Sequence, residues 1–306
     1  MTKRKEPPTP IGDIPRLPPR PDTTHKAEVG RIAIVAGSRG MSGAACLSAL
    51  GALRGGAGLV RVCCVQSIQP IVAASEPCLM TVALAEDAEG RICPQAVPLL
   101  LDSLRWADVA AIGPGLGQSD GVAEVVSAVL AGFDGPLVID ADGLNTIAPL
   151  PQWWSKRQRR PTVITPHPGE MARLRSGAGW DPASEQTDQA RLATAFEFAQ
   201  LSGTTVVLKG HRSVVCTPDE AYVNTSGNPG MATGGMGDVL TGLIGALLGQ
   251  GLSAFDAARL AVYCHGAAAD QCAQQIAPVG YLPREVADAL PAALARANRP
   301  SVGFNR

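Results

Sequence analysis

Short apolar runs that stop at glycine alternate with alanine-rich stretches at helical spacing from residue 30 onward. Residues 31–36 form an apolar run halted by Gly37 and Ser38, the pattern of a buried strand followed by a turn. Residues 42–54 repeat alanine and leucine at helical spacing, and residues 59–63 read as a second strand. Further strands are predicted over 107–112, 136–139, 162–165 and 204–208, with helices over 122–130 and 190–200 and a hairpin over 213–223. A glycine-rich run then leads into helices over 238–249 and 254–274. Strands separated by helices predict an α/β fold: a mainly parallel sheet with helices on both faces.

The proline-rich start offers no periodicity, because X-Pro steps oppose helix and sheet alike. The expected organisation is a flexible arm over 1–29, one catalytic domain over 30–296 and a tail over 297–306. In open α/β sheets, ligands lie beyond the carboxyl ends of the strands. The polar and glycine-rich motifs fall where strands end, at Gly37, Gly113, Asp140, Thr165 and Lys209, so they are expected to share one cleft.

Composition narrows the function classes. A net charge of -1 gives no basic footprint for nucleic acid. With 46% hydrophobic residues a sizeable core is available, and 34 glycines suit tight phosphate loops. The eight cysteines include no CxxC pair and several sit in apolar runs, so they read as buried thiols of a reducing compartment. Without a signal-peptide core or a span of about 20 apolar residues, a cytoplasmic protein away from membranes is expected.

The strongest chemical signal is the run from Asn224 to Asp238, which ends Gly234-Gly235-Met236-Gly237-Asp238 directly before an apolar helix. Glycines here let successive N–H groups turn toward one point, and the helix adds its free N–H groups and positive dipole end. Together they predict an anion hole for a phosphoryl group, with Asp238 able to accept a proton or merely to cap the helix. This is no Walker loop, since no Gly-Lys-Ser/Thr follows the glycines. Two prolines pre-set His167 in Thr165-Pro166-His167-Pro168-Gly169-Glu170, for a ligand contact or a rigid turn. Lys209 ends a strand where it can meet phosphate as a point charge. Asp140 and Asp142 could hold a magnesium water shell or a substrate hydroxyl, or serve turn chemistry alone.

In this order the motifs resemble the ribokinase-like superfamily and, more narrowly, the ADP-dependent (S)-NAD(P)H-hydrate dehydratases. The resemblance rests on Val35 to Ser38, Ser42 to Ala45, Arg54 to Val60, Gly113 to Gly117, Asp140 to Asn145, Thr165 to Glu170, Leu208 to Gly210 and Asn228 to Gly242. It implies a three-layer sandwich and the repair of hydrated NADH or NADPH, NADHX and NADPHX, with ADP consumed to AMP and phosphate and Mg2+ present. By the same resemblance Asp238 would be the base, and Ala44, Gly115 and His167 would line the hydrate site. Lys209, Gly210, His211, Arg212, Ser213, Gly235, Met236 and Gly237 would meet the adenine nucleotide. Met236 stands where Thr or Ser is common, a change that backbone amides would tolerate. A homo-oligomer, a tetramer in relatives, is also implied. With only about thirty residues before the first strand, a separate NAD(P)H-hydrate epimerase would handle the R epimer. The alternatives are an ATP-dependent small-molecule kinase of the same fold and a nucleotide-sensing binder without turnover.

Overall fold

The computed structural model describes residues 6–182 and 187–298. Its first half runs Arg31–Val35 (β1), Ser42–Arg54 (α1), Leu59–Val65 (β2), Gln69–Ser75 (α2), Met80–Leu84 (β3) and Val97–Arg105 (α3). Val109–Ile112 (β4), Asp120–Gly132 (α4), Leu137–Ile139 (β5), Asp142–Ile147 (α5), Thr162–Ile164 (β6) and Pro168–Gly177 (α6) follow. Asp188–Ser202 (α7) precedes Thr205–Leu208 (β7), Val214–Cys216 (β8) and Ala221–Val223 (β9). Met236–Gly249 (α8), Ala254–Gln275 (α9) and Pro283–Ala297 (α10) complete it.

One nine-stranded sheet has the order β3-β2-β1-β4-β5-β6-β7-β8-β9. Strands β1 to β7 pair in parallel, and β8 and β9 continue antiparallel. Every residue of β4, β5, β6, β7 and β8 is buried, as a sheet covered on both faces requires. The mostly parallel sheet with helices around it is the architecture the alternating pattern predicts. Because β1 pairs with β2 on one side and β4 on the other, the strand order reverses there, opening a crevice beyond their carboxyl ends.

Six elements escape the sequence pattern: α2, β3, α3, α5, α6 and α10. The strand among them, β3, lies at the sheet edge with four of its five residues outside the core, so its apolar signal is weak. The proline-rich segment has one short helical turn, Lys26–Val29, capped by His25. Elsewhere, residues 6–25 form no helix or strand of their own but are held against the domain. The Ile11 amide donates to Ala221 O at 2.8 Å, and Arg20 Nη2 donates to Gly56 O and Gln250 Oε1, both at 2.6 Å. Proline denies this segment a ladder of its own, not contacts with its neighbours. All eight cysteines are free thiols. No helix among the described residues is long and apolar enough to cross a membrane.

Candidate active site

The glycine-rich run ends on the N-cap of α8, Gly235, at φ 94°. A side chain there would be strained, and an added Cβ would lie 2.5 Å from Leu47 Cδ1. Of the three glycines expected to turn through positive φ, Gly235 alone does so, and Gly237 is already helical. No side chain caps α8. The amides of its first turn, at Met236, Gly237 and Asp238, are therefore available to an anion at the positive end of the helix. The Met236 side chain itself is buried in the core.

Asp238 stands half-buried on that first turn and does not act as a cap. Burial pushes its carboxyl up to about 7; the charge of Asp140 acts in the same sense, Lys209 opposes it, and Asp142 adds a smaller push. A carboxyl so placed is a base near neutral pH rather than a permanent charge.

Directly beside it lies a buried ion pair. Lys209 Nζ is 2.5 Å from Asp140 Oδ1 and 3.8 Å from Glu170 Oε2. Thr241, one turn along α8 from Asp238, donates its hydroxyl to Asp140 Oδ2 at 2.6 Å. Burial works against the Lys209 charge, but Asp140 and Glu170 outweigh it and hold the ammonium above its ordinary pKa. A Cβ on Gly237 would sit 3.4 Å from Lys209 Nζ and 3.7 Å from Asp140 Oδ2, so the pair abuts the anion hole. Lys209→Met is expected to lower unfolding free energy by about 3 kcal/mol, because Asp140 loses its counter-charge. The same variant should move the titration of Asp238 to higher pH, and Asp140→Asn should move it lower. Denaturant melts and pH–rate profiles read the two effects separately.

The remaining sequence-derived residues divide. Ala44 and Gly115 meet at the crevice: a Cβ on Gly115 would lie 2.9 Å from that of Ala44. The Ser38 hydroxyl donates to Gly115 O at 2.8 Å and holds the turn there. His167 is the N-cap of α6, its Nδ1 accepting from the amides of Gly169 at 3.0 Å and Glu170 at 3.3 Å. Its Nε2, 3.4 Å from Glu170 Oε1, belongs to a ring that burial and the charges of Lys209 and Arg173 hold below the usual histidine pKa. The rigid-turn reading is thus realised, and the ring is half exposed. Of residues 209–213, Lys209 reaches the start of α8. Arg212 pairs instead with Asp188 of α7 at 2.8 Å, His211 is exposed, and the Ser213 hydroxyl donates to Gly210 O at 3.1 Å.

Asp140 and Asp142 both have partners within the protein. Asp140 takes Lys209 and Thr241, and Asp142 Oδ2 accepts the Gly117 amide at 2.8 Å. Among the described residues no three His, Cys, Asp or Glu side chains form a metal-binding group. The segment after β5 is a tight turn: the Gly143 amide donates to Asp140 O at 2.9 Å, and Ala141 at its corner has φ 50°.

Four further residues carry the site. Glu170 and Thr241 steady the ion pair. On α9, Asp270 accepts from the Gly227 amide and the Asn228 side chain, both at 2.9 Å. Tyr281 donates to Asn228 Oδ1 at 2.7 Å. Those bonds set the approach to the glycine-rich run, and their separations of 42 to 101 residues leave no local signal.

The family model for NAD(P)H-hydrate dehydratase matches residues 32–292. The chain is 42% identical over 277 residues to a bifunctional NAD(P)H-hydrate repair enzyme Nnr of Moorella thermoacetica, covering 90% of this chain and 51% of that protein. It therefore spans about half the length of the bifunctional relatives it matches. It is 38% identical over 255 residues to an ADP-dependent (S)-NAD(P)H-hydrate dehydratase of Neisseria meningitidis, covering 82% of this chain and 80% of that protein. Among solved structures, the ADP/ATP-dependent NAD(P)H-hydrate dehydratase of Bacillus subtilis, co-crystallised with ATP and Mg2+, superposes with a TM-score of 0.76 at 30% identity, covering 92% and 95% of the two chains. With the uncapped helix, its unpaired aspartate and the strand-end motifs all inside the matched span, the chain belongs to the NAD(P)H-hydrate dehydratase family.

Proposed function

We propose that the chain removes water from the S-hydrate of NADH or NADPH, using ADP and giving AMP and phosphate. The observation that carries this reading is Asp238: a half-buried carboxyl near pKa 7 at the mouth of an anion hole no side chain fills. It accepts the proton of the ring hydroxyl while that oxygen attacks the β-phosphorus of ADP and the bond to AMP breaks. The amides of residues 235–238, those of the N-cap and first turn of α8, hold the charge that grows on the transferred phosphoryl group. The hydroxyl has become a phosphate ester; the ring nitrogen drives its departure as phosphate, the adjacent ring carbon loses a proton to phosphate or water, and the ring regains its double bond.

Ala44 and Gly115 present a small-residue surface at the crevice, which leaves room for the nicotinamide ring. His167 offers a neutral imidazole edge to it. Because Asp140 and Asp142 are already satisfied, magnesium fits this site as a companion of the nucleotide, held by phosphate oxygens and water. When bound it would neutralise phosphate charge. The names of the bifunctional relatives support cooperation with an epimerase that converts the R hydrate.

The test is the absorbance of the reduced nicotinamide ring after mixing protein, magnesium, ADP and the S-hydrate. An ADP-dependent rise supports the dehydratase, whereas no rise from folded protein with either hydrate or nucleotide favours a small-molecule kinase. The rate should also titrate. The base form of Asp238 is the deprotonated one, so kcat/KM is expected to rise with pH through a midpoint near 7 and level off above it. A flat profile down to about pH 5, well below that midpoint, would exclude Asp238 as the base.

A further inference from the structure

Two arginines, Arg157 and Arg191, are buried against main-chain carbonyls with no ion pair among the described residues, at opposite ends of the strands. Arg157, 3% exposed, lies by the amino ends of β5 and β6. Its Nε donates to Thr162 Oγ1 at 3.1 Å, Nη1 to Phe133 O and Nη2 to Gly135 O at 2.6 Å, so every nitrogen is engaged. Arg191, 9% exposed on the first turn of α7, lies at the carboxyl end of β7. Its Nη2 donates to Leu208 O and Lys209 O, both at 3.2 Å, but its buried Nε has no partner. No ion pair to Arg191 exists among the described residues. A buried guanidinium left without a counter-charge is costly, and its fork is made for anions.

Its location gives the cost a use. The Lys209 amide donates to Pro166 O at 2.8 Å while Arg191 holds the Lys209 carbonyl, so the residue is clamped on both sides. That clamp sets where Nζ meets Asp140, beside Gly237. The guanidinium also fills the space under Gly210, where a Cβ would lie 2.6 Å from Nη1. Gly210 is glycine to admit Arg191, at a φ of 147° that a side chain would resist.

We propose that Arg191 is a positioning residue of the nucleotide site: it fixes the turn at Lys209 and Gly210 and places a positive charge, without an ion pair among the described residues, beneath the segment that would meet the adenine nucleotide. This rests on the dehydratase reading for the identity of the nucleotide. The expected consequence is selective. ADP affinity depends on Arg191, affinity for the hydrate does not, and Arg157, a buried arginine at the amino ends of the strands, is a control for stability alone.

The experiment measures ADP binding by calorimetry on the full chain as wild type, Arg191→Met and Arg157→Met. Steady-state KM for ADP and for the hydrate is measured alongside. Loss of a charge beneath a diphosphate is expected to weaken ADP by at least about tenfold in Arg191→Met, with the hydrate KM within about twofold of wild type. Arg157→Met should melt lower yet bind ADP as wild type does. Should Arg191→Met not fold, Arg191→Lys keeps the charge and loses the fork. A several-fold ADP weakening there, absent in Arg157→Lys, supports the proposal, and none overturns it. Equal ADP affinity in Arg191→Met and wild type, or equal losses in the Arg157 and Arg191 variants, also overturns it. A wild-type protein that binds no ADP would instead overturn the dehydratase reading, and this inference with it.

Discussion

Asp238→Asn is expected to cut turnover by roughly 10²–10⁴-fold while ADP affinity changes little, because the variant keeps the helix and loses only the proton acceptor. Asparagine is nearly isosteric, so the anion hole at residues 235–238 should persist. Full turnover in this variant would end the assignment of Asp238 as base. The substitution should also stabilise the empty protein above neutrality. The folded-state pKa of about 7 lies above the ordinary carboxyl value of 3.8. The native state therefore holds the proton more tightly, and that stability is lost as pH rises from about 4 through 7. Asparagine carries no such titration. The melting temperature of Asp238→Asn should match the wild type near pH 4 and exceed it near pH 8 by a few degrees. A loss of activity joined to a gain in stability marks a functional group held at an energetic cost. Equal or lower melting at pH 8 would show that the carboxylate is better solvated than its surroundings imply.

The second large effect concerns packing. Gly242→Ala is expected to destabilise the protein by at least about 3 kcal/mol, a large share of a typical domain's stability. An added Cβ at residue 242 would fall 1.8 Å from Ser48 O and 2.7 Å from Ala52 N, both backbone atoms of α1. From the other side, a Cβ on Gly51 would lie 2.2 Å from Val239 O. The two helices thus cross backbone to backbone, and neither can yield without moving the whole element. Gly245 provides the control within α8. Its added Cβ would meet only Ile32 Cγ2, at 3.4 Å, so Gly245→Ala should be neutral or stabilising by up to about 1 kcal/mol of helix propensity. Denaturant unfolding of the two variants decides the matter. Similar midpoints would mean that the crossing can loosen without penalty.

Much of this was readable beforehand where the signal is local. β1, β4 and β6 announce themselves as apolar runs because both faces of the sheet are covered, and the motifs at their ends follow the geometry of parallel sheets. Asp238 was legible from the glycines before it and the apolar helix after it. What escaped depends on partners far away in sequence. Lys209 alone suggests a phosphate ligand; its pairing with Asp140, 69 residues away, makes it a buried pillar of the site. His167 suggests a ligand contact, yet its Nδ1 caps α6, a role its neighbours Gly169 and Glu170 confer. Arg191 reads as an ordinary charged residue of an amphipathic helix until β7 is laid against it. The edge strand β3 was missed for the opposite reason, since solvent on its flank dilutes the apolar pattern.

The crossing of α1 and α8 has a consequence for how the cleft can move. Ala44 stands on the first turn of α1 and Asp238 on the first turn of α8. With Gly51 and Gly242 locked against their neighbours, the two helix ends form one jaw, and its spacing is set by main-chain contact. At the far end of α8, about 21 Å away at 1.5 Å per residue over its 14 residues, Gly249 presses on Gly30. The jaw is thereby seated on the root of β1. The separation of Ala44 and Asp238 is then a fixed gauge of the molecule.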